Sequence, residues 1–167
     1  MKVGIDNGVS GAVAILNDHG LLIAWTPMPT QRARKGNEID VVTLAAWLDA
    51  NTGDKMRAAE YAVEEPGGSK SAAACASMAA SFHAIRALLA LRGVRWHRVT
   101  PREWQRVMLP GCPAGETKPR ALELARRLWP SEQWHATPRC TTPHDGAIDA
   151  AIIAEWLRTR TNERGQE

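Results

Sequence analysis

The sequence predicts an α/β domain on a mixed five-stranded sheet: three antiparallel strands, then strand–helix crossovers, with helices on both faces. Three observations carry that reading. The chain opens with apolar runs separated only by short turns, and strands joined so closely must run antiparallel. Beyond residue 57, apolar runs of strand length alternate with segments of helical period. At 167 residues, 44% hydrophobic and 23% charged, the chain has the bulk for one sizeable core.

Residues 2–6, 12–16 and 21–26 are the first three expected strands. Val3 and Ile5 suit a half-buried pleat, and the glycines of Gly4-Ile5-Asp6-Asn7-Gly8-Val9-Ser10-Gly11 allow a sharp bend after Asp6. Asn17-Asp18-His19-Gly20 reads as a hairpin turn. Residues 27–37 mix Pro, Gly, Gln, Arg and Lys without an apolar period and are expected as an exposed loop. Asn37 is the expected cap of a helix over 38–51, with Ile39, Val42, Leu44, Ala46, Trp47 and Leu48 as its apolar face.

A fourth strand over 58–64 is stopped by Pro66-Gly67-Gly68. The long helix expected over 69–91 is almost all Ala, Ser, Cys and Met in its first half. Such small side chains admit close approach of another helix, from this chain or a second copy. Residues 94–99 form the fifth strand, and Thr100-Pro101-Arg102-Glu103 is a capping box opening a short helix to 108. Helices over 118–129 and from 144 or 145 to 160 follow, with Trp47, Trp129 and Trp156 at apolar helical positions and a polar tail over 161–167.

Three cysteines, Cys75, Cys112 and Cys140, cannot all pair, which argues against a disulfide framework and fits a reducing cytoplasm. No apolar run approaches the roughly 18 to 20 residues of a membrane span, and the N-terminus enters a strand without a signal-peptide pattern, so no membrane partner is expected. The net charge is +3, with arginine outnumbering lysine 16 to 5. The guanidinium fork suits phosphate, and gathering acidic residues into one site leaves the remaining surface more basic. Nucleic acid is the partner class this composition favours.

Four acidic residues sit at element ends rather than on solvated faces. Asp6 ends the first strand and Glu64 the fourth, while Asp145 and Asp149 are spaced to share one face of a helix. Taken singly, Asp6 reads equally as a turn residue, Asp145 as a helix cap, and Glu64 competes with Glu65. Asp149 lies among Ile148, Ala150, Ala151, Ile152 and Ile153, where a carboxylate is costly unless ion-paired, hydrogen-bonded or bound to a metal. Together the four fit a site for hard divalent cations. Two such ions about 3.5 to 4 Å apart can clamp an in-line phosphoryl displacement.

In order and spacing, Gly4-Ile5-Asp6-x-Gly8, Ala62-Val63-Glu64, and His144-Asp145 with Asp149-Ala150 resemble the acidic motifs of RuvC-type Holliday-junction resolvases. These belong to the RNase H-like (retroviral-integrase-like) superfamily. The likeness spans about residues 1 to 158, and Thr100-Pro101-x-x-Trp104-Gln105 makes it most similar to short phage-type members. It implies one RNase H-like nuclease domain over 1–160, in a bacterial or phage-infected cell. It further implies a homodimer that binds branched DNA and resolves four-way junctions by symmetric paired nicks. Asp6, Glu64, Asp145 and Asp149 would be the catalytic ligands of two Mg2+ ions, replaceable by Mn2+, with water attacking the phosphate directly and no small-molecule cofactor. Two features depart from the familiar bacterial members: there the last two acids are three apart rather than four, and an aromatic wedge stands where this chain has Pro66-Gly67-Gly68-Ser69-Lys70.

Expected DNA contacts are Ser69 and Lys70 at one helix start, Lys118 and Arg120 at another, and His144 beside Asp145. Arg32, Arg34 and Lys35 in the first long loop are further candidates. The alternatives are a catalytically silent RNase H-like module that binds nucleic acid, and a related nuclease acting on RNA, hybrids or other branched DNA. The Gly-Ile-Asp-x-Gly turn also resembles the first phosphate loop of sugar-kinase and actin-like ATPases. Those enclose ATP between two such domains, more than 167 residues provide.

Overall fold

The computed structural model of the chain describes residues 1–68 and 71–164. Strands β1 (Lys2–Asp6), β2 (Ala12–Leu16) and β3 (Leu22–Pro27) form an antiparallel meander. A separate two-stranded hairpin, β4 (Thr30–Arg32) and β5 (Asn37–Ile39), leads into helix α1 (Val41–Thr52). Then come β6 (Glu60–Glu64), α2 (Ala72–Leu91), β7 (Arg95–Val99), α3 (Pro101–Met108), α4 (Thr117–Leu128) and α5 (Asp145–Arg164). The main sheet has the order β3-β2-β1-β6-β7, with β6 and β7 parallel to β1, so the mixed five-stranded sheet is as expected.

Alternation along the strands divides the interior into two layers. Val3, Ile5, Val13, Ile15, Tyr61 and Val63 face α1 and α2, meeting Leu44, Leu48, Phe82, Ile85 and Leu89. The opposite face is made of Ala12, Ala14 and Ala62, with Gly4 between them, and it carries α3, α4 and α5. Small residues on the strands and Ala147, Ala150, Ala151 and Ala154 on α5 let that helix lie almost backbone to backbone on the sheet. A Cβ built on Gly4 would stand 2.0 Å from the Ala150 carbonyl oxygen and 2.5 Å from the Ala154 nitrogen. One built on Gly146 would stand 2.7 Å from the Gly11 Cα, so the start of α5 is seated equally tightly against the β1–β2 turn.

Several expectations are corrected. The stretch expected as a loop over 27–37 folds in part into the β4–β5 hairpin, held by backbone pairing where no apolar period exists to announce it. Helix α1 starts later than expected, because the Asp40 carboxylate accepts from the Val42 and Thr43 amides, so Asp40 and not Asn37 is the cap. Val42, assigned to the buried face, is 81% exposed. Helix α2 is capped by Ser71, and α5 continues past the expected end at residue 160 to Arg164. By length and composition α2 is apolar enough to cross a membrane, contrary to the sequence expectation. Here Phe82, Ile85, Leu88 and Leu89 in its second half are buried against the sheet. The capping box of Thr100 and Glu103 forms as expected.

Candidate active site

The parallel register of β1 and β6 runs from Lys2↔Glu60 to Ile5↔Val63, so the next residues, Asp6 and Glu64, lie at the carboxyl ends of neighbouring strands. In open α/β sheets this edge is where ligands bind. Asp6 shares a strand face with Gly4, and Glu64 shares one with Ala62, so both project toward α5. Helix α5, seated on Gly4, brings Asp149 to the same edge. Asp6, Asp145 and Asp149 line one open cleft together with Ser10, Lys118 and His144. Four stretches of sequence far apart in the chain therefore meet at one place.

Three of the four carboxylates are held by a specific neighbour. The Gly8 amide donates to Asp6 Oδ1 at 3.3 Å. Trp104 Nε1 donates to Glu64 Oε1 at 2.6 Å, and Asn7 Nδ2 donates to the Glu64 carbonyl oxygen, tying the two strand ends together. Lys118 Nζ, at the start of α4, donates to Asp145 Oδ2 at 2.5 Å. Glu65, one residue from Glu64 and on the opposite strand face, pairs with Arg98 at 3.2 Å and takes no part. The buried arginine partner that was open for Asp149 is not seen among the described residues.

The electrostatics follow from burial and crowding. Desolvation pushes the Asp6 carboxyl up to about 6, against the hydrogen bond from Gly8. Glu64 is pushed up to about 7, by desolvation first and then by the charge of Asp6, while the Trp104 hydrogen bond opposes the shift. Asp149 is pushed highest, to about 8, by desolvation and then by Asp6, Glu64 and Asp145, with Lys118 only partly offsetting them. Negative charge is thus concentrated with too little positive charge to neutralise it.

His144 occupies the cap position of α5. Its Nδ1 accepts from the Ala147 amide at 3.1 Å, so in the neutral imidazole the proton sits on Nε2, which is left as a donor. The ring lies 6.0 Å from Trp25, and the His144 amide donates to the carbonyl of Trp134 at 2.7 Å. Trp134 is buried and held at φ 58, a conformation rare for a bulky residue, and it stacks on Trp25. Arg120 faces a different groove, lined by Met108, Leu109 and Arg127, and is paired with Glu123 at 3.2 Å. Ser69 and Lys70 lie outside the described residues. Trp104 and Asn7 were not among the sequence candidates. Trp104 stood in the sequence as part of Thr100-Pro101-x-x-Trp104-Gln105, one residue after Glu103 in the capping-box helix, with nothing to mark it as the partner of Glu64.

An all-oxygen carboxylate set is the donor chemistry of hard divalent cations. Asp6, Glu64 and Asp149 fit such an ion, because it would supply the positive charge that the surrounding protein lacks. Among the described residues no three acidic, histidine or cysteine side chains are already drawn together as a metal cage. Glu64 leans to Trp104 and Asp145 to Lys118 instead.

No protein-family model matches the chain, and no curated protein matches it in sequence. Among solved structures it is similar to Thermus thermophilus RuvC in complex with a Holliday junction substrate. That match has a TM-score of 0.60 and 19% identity, and it covers 98% of this chain and 94% of that one. A second structure of T. thermophilus RuvC matches with a TM-score of 0.54 and 17% identity, over 98% and 95% of the two chains. The fold is the RNase H-like fold of RuvC, and the resemblance read from the acidic motifs holds at the level of the fold.

Proposed function

We propose that the chain is a metal-dependent, structure-selective DNA endonuclease that resolves four-way junctions by paired nicks, one in each subunit of a homodimer. The observation that carries this is the set of Asp6, Glu64 and Asp149 at the carboxyl edge of the sheet, all with raised pKa values and short of positive charge. A module that only bound nucleic acid would gain nothing from carboxylates facing a phosphate. The likeness to a RuvC structure holding a junction supports the choice of substrate.

Asp6, Glu64 and Asp149 would hold Mg2+ or Mn2+, with Asp145 as a further ligand. Bound there, the ions would supply the Lewis acidity and lowered water pKa that phosphodiester hydrolysis needs. The chain's own residues set the geometry. The Trp104 indole fixes one oxygen of Glu64 and leaves the other for a cation. Lys118 restrains Asp145 and puts an ammonium at the mouth of the cleft, where a phosphate would approach. The free Nε2–H of His144 can donate to a phosphate oxygen. The exposed first half of α2, with Ala72, Ala73, Ala76 and Ala80, is the face on which two copies would meet.

Trp104→Phe removes the indole donor while keeping an aromatic ring in the core. Its expected result is a roughly 10- to 100-fold slower single-turnover cleavage, the usual cost of losing a group that orients a ligand. A rate equal to wild type would assign Trp104 to packing alone.

The function itself is tested with end-labelled four-way junction, splayed arm, linear duplex and RNA–DNA hybrid of one sequence, incubated with Mg2+ or with EDTA. Paired nicks in the junction, dependent on metal and much faster than cutting of linear duplex, are the expected result. Tight junction binding with no cleavage in Mg2+ or Mn2+ would leave a binding module. Preferred cutting of the hybrid would reassign the substrate.

A further inference from the structure

We propose that the β4–β5 hairpin is a basic arm that grips the phosphate backbone of a DNA duplex leading away from the carboxylate cleft; this rests on the nuclease reading above. The base of the arm is fixed. Met28 and Ile39 are 4% and 5% exposed in the core under α1 and α2. The Met28 amide donates to the Gly11 carbonyl and the Asp40 amide to the Pro29 carbonyl, each at 2.9 Å. Gly11 in turn lies on Asp6: a Cβ there would stand 2.2 Å from the Asp6 carbonyl oxygen. The base of the arm is therefore hydrogen-bonded to the turn that follows the first carboxylate of the site.

The far end is charged and unengaged. A turn over 33–36 closes the hairpin, with the Ala33 amide donating to the Gly36 carbonyl at 3.1 Å and Gly36 at φ 76. Arg32, Arg34 and Lys35 are all exposed, and among the described residues none has an ion pair or side-chain hydrogen bond. The one acidic residue of the arm, Glu38, accepts from Gln31 Nε2 at 3.0 Å on the opposite strand face from Arg32. Three-residue strands plus the turn place the tip roughly 10 Å beyond the base, at about 3.3 Å per residue. That length spans several phosphates of one strand, which are about 3.4 Å apart along the duplex axis.

The chemistry selects the partner. From Thr30 to Asn37 the arm has no large apolar side chain, so it offers little to bury against a protein, where apolar anchors dominate binding. Two arginines and a lysine on a short, rooted hairpin match a polyanion of regular spacing. Rooted by Met28 on the turn that follows Asp6, the arm would set how the duplex approaches while the carboxylates hold the scissile phosphate.

The test compares wild type with the triple variant Arg32→Gln, Arg34→Gln, Lys35→Gln. Each is titrated with fluorescent four-way junctions of long and short arms over a range of salt. Loss of three phosphate contacts is expected to weaken long-arm binding about tenfold at moderate salt and to lower the slope of log affinity against log salt by about 2 to 3. Shortening the junction arms should weaken wild type and leave the triple variant unchanged. The pair Arg34→Glu and Lys35→Glu, confined to the turn, should weaken binding further, with thermal melts equal to wild type for both variants. Equal salt slopes, or equal sensitivity to arm length, would overturn the arm and leave the nuclease reading standing. A wild-type protein that neither binds nor cuts junctions would overturn both.

Discussion

Asp149→Asn is expected to abolish cleavage and, at the same time, to stabilise the metal-free protein at pH 8. In the native chain Asp6, Glu64 and Asp149 titrate near 6, 7 and 8. In the unfolded chain they titrate at about 3.9 for Asp and about 4.3 for Glu. Between those limits the native state binds more protons than the unfolded state, so stability falls as pH rises. What these groups contribute is intact below about pH 4 and is lost progressively as pH climbs through the native values toward 8. Replacing Asp149 with a neutral amide removes the most strongly opposed charge. The three carboxylates titrate as one coupled group, so the gain at pH 8 is on the order of 2 kcal/mol, less than the full shift implies. For a domain of this size that corresponds to a rise in Tm of about 4 to 8 °C. The fall in Tm between pH 5 and 8.5 should also be shallower in the variant. Cleavage, read by single-turnover assay, should drop roughly 1,000-fold or more with loss of the central ligand. A variant less stable than wild type at pH 8 would contradict the crowding of charge.

Gly4→Ala is expected to be the most damaging single methyl added to the protein. The new Cβ would meet backbone atoms of α5, the Ala150 oxygen at 2.0 Å and the Ala154 nitrogen at 2.5 Å. No rotamer change relieves a clash with backbone, so the helix must lift from the sheet or β1 must bend. Overpacking of cores commonly costs about 1 to 3 kcal/mol, and a clash with two backbone atoms belongs at or above the top of that range. The corresponding loss in Tm is about 10 °C. Because Gly4 also sets how closely Asp149 approaches Asp6, cleavage should fall by more than instability explains at a temperature where the variant is still folded. A fully folded and fully active Gly4→Ala protein would show that the helix–sheet contact does not position the site. Serial denaturation and assay of the same preparation separate the two effects.

The sheet was legible because its strands carry continuous or alternating apolar patterns between unmistakable turns, and Thr100-Pro101-Arg102-Glu103 announced α3 by its capping chemistry. The carboxylates were legible for a different reason. Asp6 and Glu64 end strands, and Asp149 sits in an apolar segment of α5 that has no other use for a charge. What stayed hidden has few local signals. The β4–β5 hairpin buries only Ile39 of its six strand residues, so no hydrophobic period marks it. The cap of α1 depended on competition between Asn37 and Asp40, decided by where the hairpin ends. The hold of Trp104 on Glu64 joins residues 40 positions apart, and the seating of Gly146 on Gly11 joins a turn to a helix start, both products of tertiary packing. Ser69 and Lys70, read from sequence as DNA contacts, lie outside the described residues.

Binding of divalent cations by the crowded, partly protonated carboxylate cluster underlies the proposed function. It is tested most directly by titrating Mn2+ into the DNA-free protein at pH 7, by calorimetry in two buffers of different ionisation enthalpy. Glu64 near 7 and Asp149 near 8 still hold protons at that pH and must give them up to serve as ligands. The prediction is cation binding accompanied by proton release, shrinking at pH 9 and much reduced in Asp149→Asn. Binding of equal strength in wild type and Asp149→Asn, or binding without proton release, would place the cation elsewhere and contradict the account.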